Sequence, residues 1–115
     1  MDFLRSGNIE VRYFSDEWGP FIFDFADAIP GGDSIASVSV KAYEGIIRPS
    51  DIVADWDEIT DLVEAAPSIV GDTIKVKLQY PADTTLKDTR ATLLFELTMA
   101  SGGKHPFFFH HVNIK

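Results

Sequence analysis

Along most of this chain the side chains switch between apolar and polar with every residue, and turn formers interrupt them about every ten positions. Ile74, Val76, Leu78 and Tyr80 alternate with Lys75, Lys77 and Gln79. Leu93, Phe95, Leu97 and Met99 share one face of a run from Arg90 to Ala100, and Phe21, Phe23 and Phe25 share one face of another. Ala36, Val38, Val40 and Ala42 alternate with Ser37, Ser39 and Lys41, while Ile9, Val11 and Tyr13 repeat the pattern near the start. An extended backbone throws successive side chains to opposite faces, so each run offers one face to a core and the other to water. Only facing sheets satisfy many such runs at once.

Turn chemistry separates the runs. Ile29-Pro30-Gly31-Gly32-Asp33, Arg48-Pro49-Ser50-Asp51, Val70-Gly71-Asp72, Pro81-Ala82-Asp83 and Ser101-Gly102-Gly103-Lys104 carry residues that favour turns. The spacing leaves no room for the helices of βαβ units. It predicts an all-β, antiparallel, immunoglobulin-like sandwich of seven to eight strands. Residues 50–64 leave two readings open. The apolar positions 52, 53, 56, 59, 62 and 63 have helical spacing behind a Ser50 or Asp51 N-cap. The rival is two short strands, around Ile52-Val53 and from Ile59 to Val63. Residues 1–115 read as one domain, because 115 residues leave no room for a second core. Within it, residues 1–19 read as a strand and loop able to cover an outer sheet face.

The charge balance narrows the partners. With 18 acidic against 10 basic residues the net charge is −8, and no Lys/Arg cluster interrupts it. Phosphate backbones and anionic membrane surfaces are repelled by such a chain, so neither nucleic acid nor membrane is an expected partner. The absence of cysteine excludes disulfides, thiolate metal sites and thiol nucleophiles. The start Met1-Asp2-Phe3-Leu4-Arg5 is acidic where a signal peptide needs positive charge. No apolar run approaches the roughly 20 residues of a membrane helix.

Several stretches resemble small immunoglobulin-like domains encoded by tailed phages and prophages. They are Phe21-Ile22-Phe23-Asp24-Phe25, Gly32-Asp33-Ser34-Ile35-Ala36-Ser37-Val38 with Gly45, Ile69 to Leu78, and the ending from Leu97 to Lys104 with Val112-Asn113-Ile114-Lys115. The likeness spans roughly residues 20–115. Thr89-Arg90-Ala91-Thr92 stands where that family often has an aromatic residue, and Phe107-Phe108-Phe109-His110-His111 where its last strand is usually polar. The resemblance implies a non-enzymatic virion or virion-assembly component, located in the virion or cytoplasm. It carries over no site residues.

No chemical constellation stands out. His105, His110 and His111 are the only histidines, and the adjacent pair on a strand points to opposite faces. The carboxylates Asp51, Asp55, Asp57, Glu58, Asp61 and Glu64 lack the Gly turn of a calcium loop between Asp51 and Asp61 and read as a solvated acidic face. No Gly-x-Ser-x-Gly elbow or phosphate-binding loop occurs. No catalytic residue, metal or cofactor is therefore expected. The aromatics say more. Phe107, Phe108 and Phe109 place apolar groups on both faces of one strand, which a strand with one wet face does not carry unless it is covered. Either that strand is central or covered within the domain, or Phe107, Phe108, Phe109 and His110 form an interface with a protein partner. A homo-oligomer is the expected form of that partner. As the alternative, Trp18 and Trp56 could stack on a glycan in a carbohydrate-binding or adhesion module.

Overall fold

The computed structural model describes residues 9–11, 18–26, 29, 31–45, 57–64, 66–79, 81–102 and 107–115. Seven strands among them build two sheets: β1 (Ile9–Val11), β2 (Phe21–Asp24), β3 (Ile35–Glu44), β4 (Ser68–Val70), β5 (Thr73–Val76), β6 (Thr89–Met99) and β7 (Phe107–Ile114). The larger sheet has the order β1-β7-β6-β3 and the smaller the order β2-β5-β4. The chain is an all-β sandwich.

Strand β6 organises the larger sheet because one of its faces is apolar from Ala91 to Met99. Ala91, Leu93, Phe95, Leu97 and Met99 are all buried, while Arg90 and Glu96 on the other parity are exposed. On one side it pairs antiparallel with β3, and on the other with β7. Strand β3 holds a correction to the simple alternation. A bulge at Ala36 shifts the register between Ile35 and Ser37, so Ile35 and Val38 both reach the core and Ala36 is exposed. One extra residue flips the facing of everything before it.

The smaller sheet follows the same rule. Phe23 on β2 and Ile74 and Val76 on β5 are buried, and Val70-Gly71-Asp72-Thr73 closes the tight β4–β5 hairpin. Gly71 supplies the left-handed backbone of that turn, with φ +61°. The sheets meet through rings. Phe23 and Phe25 lie 4.7 and 5.3 Å from Phe95, and Phe25 lies 5.0 Å from Phe108.

Two features differ from the sequence-based expectation. Strand β1 runs parallel to β7, with Ile9 opposite Val112 and Val11 opposite Ile114, whereas every other pair is antiparallel. A parallel neighbour needs a long connection, and the first and last strands of a chain are joined by the whole domain. Strand β1 thus extends an edge of the larger sheet, and its Val11 is in the core. The second feature concerns residues 57–64, which form no helix. Ile59 N–H donates to Ala42 O (2.8 Å) beside β3, and Glu64 N–H donates to Lys77 O (2.9 Å) beyond the end of β5. The segment therefore leaves one sheet and joins the other, and the predicted strand from Ile59 to Val63 is reduced to isolated bridges at Glu58 and Val63. Ile59 and Leu62 are buried at a turn, so their helical spacing reflects a crossing and not a helix. Residues 50–56 lie outside the described residues.

Candidate functional site

Parity on β7 sorts the C-terminal aromatics. Phe108, His110, Val112 and Ile114 face the other sheet, opposite Phe95, Leu93, Ala91 and Thr89 of β6. Phe109 and His111 take the outer face, opposite Leu94 and Thr92, and both are half-buried there. Phe107 pairs with Glu96 at the start of the strand. The outer face is not an ordinary wet surface. Thr92 is fully buried on it and its hydroxyl donates to Gly45 O (2.8 Å). Strand β7 is interior to its sheet, so Phe108 and His110 serve the domain's own core.

His110 is the most unusual side chain in that core. It is 8% exposed, and its ring meets Phe23 edge-on with centroids 4.8 Å apart. Among the described residues neither ring nitrogen has a hydrogen-bond partner, and both are shielded from solvent. A neutral imidazole has one donor and one acceptor, and each buried group left unmet costs about 1–3 kcal/mol. Burial first, and the charge of neighbouring His111 second, push the His110 pKa below the ordinary histidine value.

The tryptophans and carboxylates have local roles or fall outside the described residues. Trp18 is 3% exposed within the core, and its carbonyl accepts from Leu78 N–H (2.9 Å), so it presents no open ring face to a sugar. Trp56, His105, Asp51 and Asp55 lie outside the described residues. Asp61 accepts from Ala82 N–H (2.8 Å), tying two loops together, and Asp83 accepts from Thr85 N–H (3.0 Å), fixing a turn. The hydroxyl and amide of Thr85 hold the Asp83 carboxyl below the usual range. Among the described residues, no group of three His, Cys, Asp or Glu could hold a metal ion. No helix among them is long and apolar enough to cross a membrane. A shallow polar cavity of about 200 Å³ lies at the ends of β6 and β7, lined by Asp88, Thr89, Arg90, Asn113, Ile114 and Lys115. Nothing in that lining pairs a nucleophile with a base.

The candidate surface lies elsewhere. Among the described residues the large apolar side chains that stand in solvent are Ile22, 67% exposed, and Val70, 62% exposed. Both belong to the smaller sheet. Ile22 is opposite Lys75 and Val70 opposite Thr73, on the parity that faces away from the core. Asp24 and Ser68 complete this outer face. Among the described residues, β2 and β4 each have β5 as their one strand neighbour, so each leaves an edge unpaired. The sequence reading passed over Ile22, although Phe21-Ile22-Phe23 breaks the alternation just as Phe107-Phe108-Phe109 does. Val70, next to the Gly71-Asp72 turn, gave no comparable signal.

No family model, curated protein or solved structure matches this chain.

Proposed function

We propose that this chain is a non-enzymatic structural or assembly protein that acts through protein–protein contacts, chiefly with copies of itself, and that it serves in a tailed phage or prophage particle. The observation carrying the contact reading is the outer face of the smaller sheet. Burying the exposed part of Ile22 and Val70 is worth about 1–2 kcal/mol each, so water disfavours leaving both exposed. Three strands about 4.8 Å apart and some four residues long cover roughly 200 Å², well below the ~800 Å² per partner of a standard interface. The face alone therefore gives weak association. The unpaired edges of β2 and β4 enlarge it, since an open edge accepts another strand.

The virion reading rests on the likeness of residues 20–115 to phage-encoded immunoglobulin-like domains. Strand order supports the immunoglobulin-like part. In that fold the second, fourth and fifth strands share one sheet, and the third, sixth and seventh share the other, as here. The inter-sheet disulfide of antibody domains joins the second and sixth of these strands, and here the contact of Phe23 with Phe95 links that pair.

Sedimentation velocity over a rising concentration series tests the contact. The wild-type chain is expected to shift to larger species. The double variant Ile22→Asp, Val70→Asp is expected to remain monomeric with an unchanged melting temperature, because both positions are exposed. A wild-type chain that stays monomeric throughout overturns self-association. The neighbouring genes test the particle: capsid, portal or tail genes support it, and a metabolic operon overturns it.

A further inference from the structure

At position 110 a titratable ring fills a place suited to leucine. Around it stand Phe108 and Val112 on β7, Leu93 with Ala91 and Phe95 on β6, and Phe23 on β2. None of these can accept a proton or balance a charge. The charged and titratable groups of the same strands alternate away: Asp24 on β2, Arg90 and Glu96 on β6, and His111 on β7 all belong to outer faces. A proton on His110 therefore creates a cation with no described counter-charge and no acceptor, inside the seam where the sheets meet. Opening of the seam would bring water to both ring nitrogens. Strand β2 is the element able to yield, since among the described residues it is hydrogen-bonded to one strand, β5, whereas β7 is locked between β6 and β1.

We propose that His110 is a proton-operated latch between the two sheets: protonation of its ring frees β2 from the face of β7 and exposes the cluster of Phe23, Phe25, Phe95 and Phe108. The latch stands apart from the self-association reading and holds for a single copy of the chain. Its direction follows from linkage. The native seam keeps the ring neutral at a pH where the unfolded chain already binds the proton. Stability is thus complete above the unfolded histidine value of about 6.5 and drains as the pH falls through it. One proton shifts the unfolding equilibrium by at most about tenfold per pH unit over that window.

Urea unfolding between about pH 8 and pH 5 decides the matter when wild type is compared with His110→Leu and His110→Gln. The wild-type unfolding constant is expected to climb below pH ~6.5, relative to either variant, by at most about tenfold per pH unit, levelling once the native ring itself takes up the proton. The dye bis-ANS, which reports exposed apolar surface, is expected to brighten with acid on the wild type and not on His110→Leu. If the leucine variant does not fold, the glutamine variant serves, being polar but unable to titrate. Parallel profiles for the wild type and the folded variant, with equal dye response, overturn the latch.

Discussion

Phe95→Ala is expected to remove about 3–5 kcal/mol of stability, the usual cost of deleting a fully buried aromatic ring. Phe95 is 0% exposed on the central strand of the larger sheet, between Val40 of β3 and Phe108 of β7. Its ring lies 4.7 Å from Phe23 and 5.3 Å from Phe25, so it meets both rings that the smaller-sheet side brings to the seam. A domain of this size has about 5–15 kcal/mol in total, and the chain has no disulfide to hold the sheets when the ring is gone. Urea denaturation is expected to show the midpoint falling by about a fifth or more at an unchanged slope. Phe108→Ala is expected to cost less, about 1–2 kcal/mol, because that side chain is only half-buried at the rim of the same cluster. Equal losses at the two positions would show that the seam is not centred on β6.

The second large effect is local and steric. Gly19 has φ +103°, and a Cβ at this position would stand 2.9 Å from the backbone nitrogen of Phe21 and 3.0 Å from its ring. The strain of that backbone for a non-glycine residue is about 1–3 kcal/mol, and the clash is with backbone, which cannot swing aside. Gly19 also leads directly into β2. Its carbonyl accepts from the Lys77 ammonium (3.3 Å), and the preceding Trp18 carbonyl accepts from Leu78 N–H. Moving Phe21 to relieve the clash would disturb both ties. Gly19→Ala is therefore expected to lower the melting temperature by about 4–12 °C, at roughly 4 °C per kcal/mol for a domain of this length. Gly71→Ala is the control. It has φ +61° with open space around the added carbon, so it adds strain of about 1 kcal/mol without a collision. Similar losses for the two glycines would contradict the steric account.

The sequence is legible where one physical rule acts alone. Strand β6 is readable because Ala91, Leu93, Phe95, Leu97 and Met99 keep one face apolar along its length, and the same rule places Phe23, Ile74 and Val76 inside. Where a second rule intervenes, the pattern misleads. The bulge at Ala36 puts Ile35 inside and Ala36 outside, and no residue in Ser34-Ile35-Ala36-Ser37 announces it. Ile59 and Leu62 sit three apart because a turn between two bridges buries both, and this spacing copies a helix. The parallel pairing of β1 depends on residues about a hundred positions away, beyond the reach of any local pattern. The C-terminal aromatics illustrate both cases. Their two-faced pattern predicts a strand that is central, covered within the domain or covered by a partner, and parity alone does not choose among these. The structure places Phe108 and His110 in the domain's own core and moves the exposed apolar surface to Ile22 and Val70, on the opposite sheet.

A nitroxide label tests the proposed contact face most directly. The chain contains no cysteine, so Ser68→Cys, on the same outer face as Val70, and, separately, Ser39→Cys on the exposed face of β3 each give one labelling position. Electron paramagnetic resonance is then recorded as the protein concentration rises. The label at position 68 is expected to lose mobility as copies cover the smaller sheet, while the label at position 39 keeps its own. Labels that stay equally mobile at both positions across the series would contradict the account.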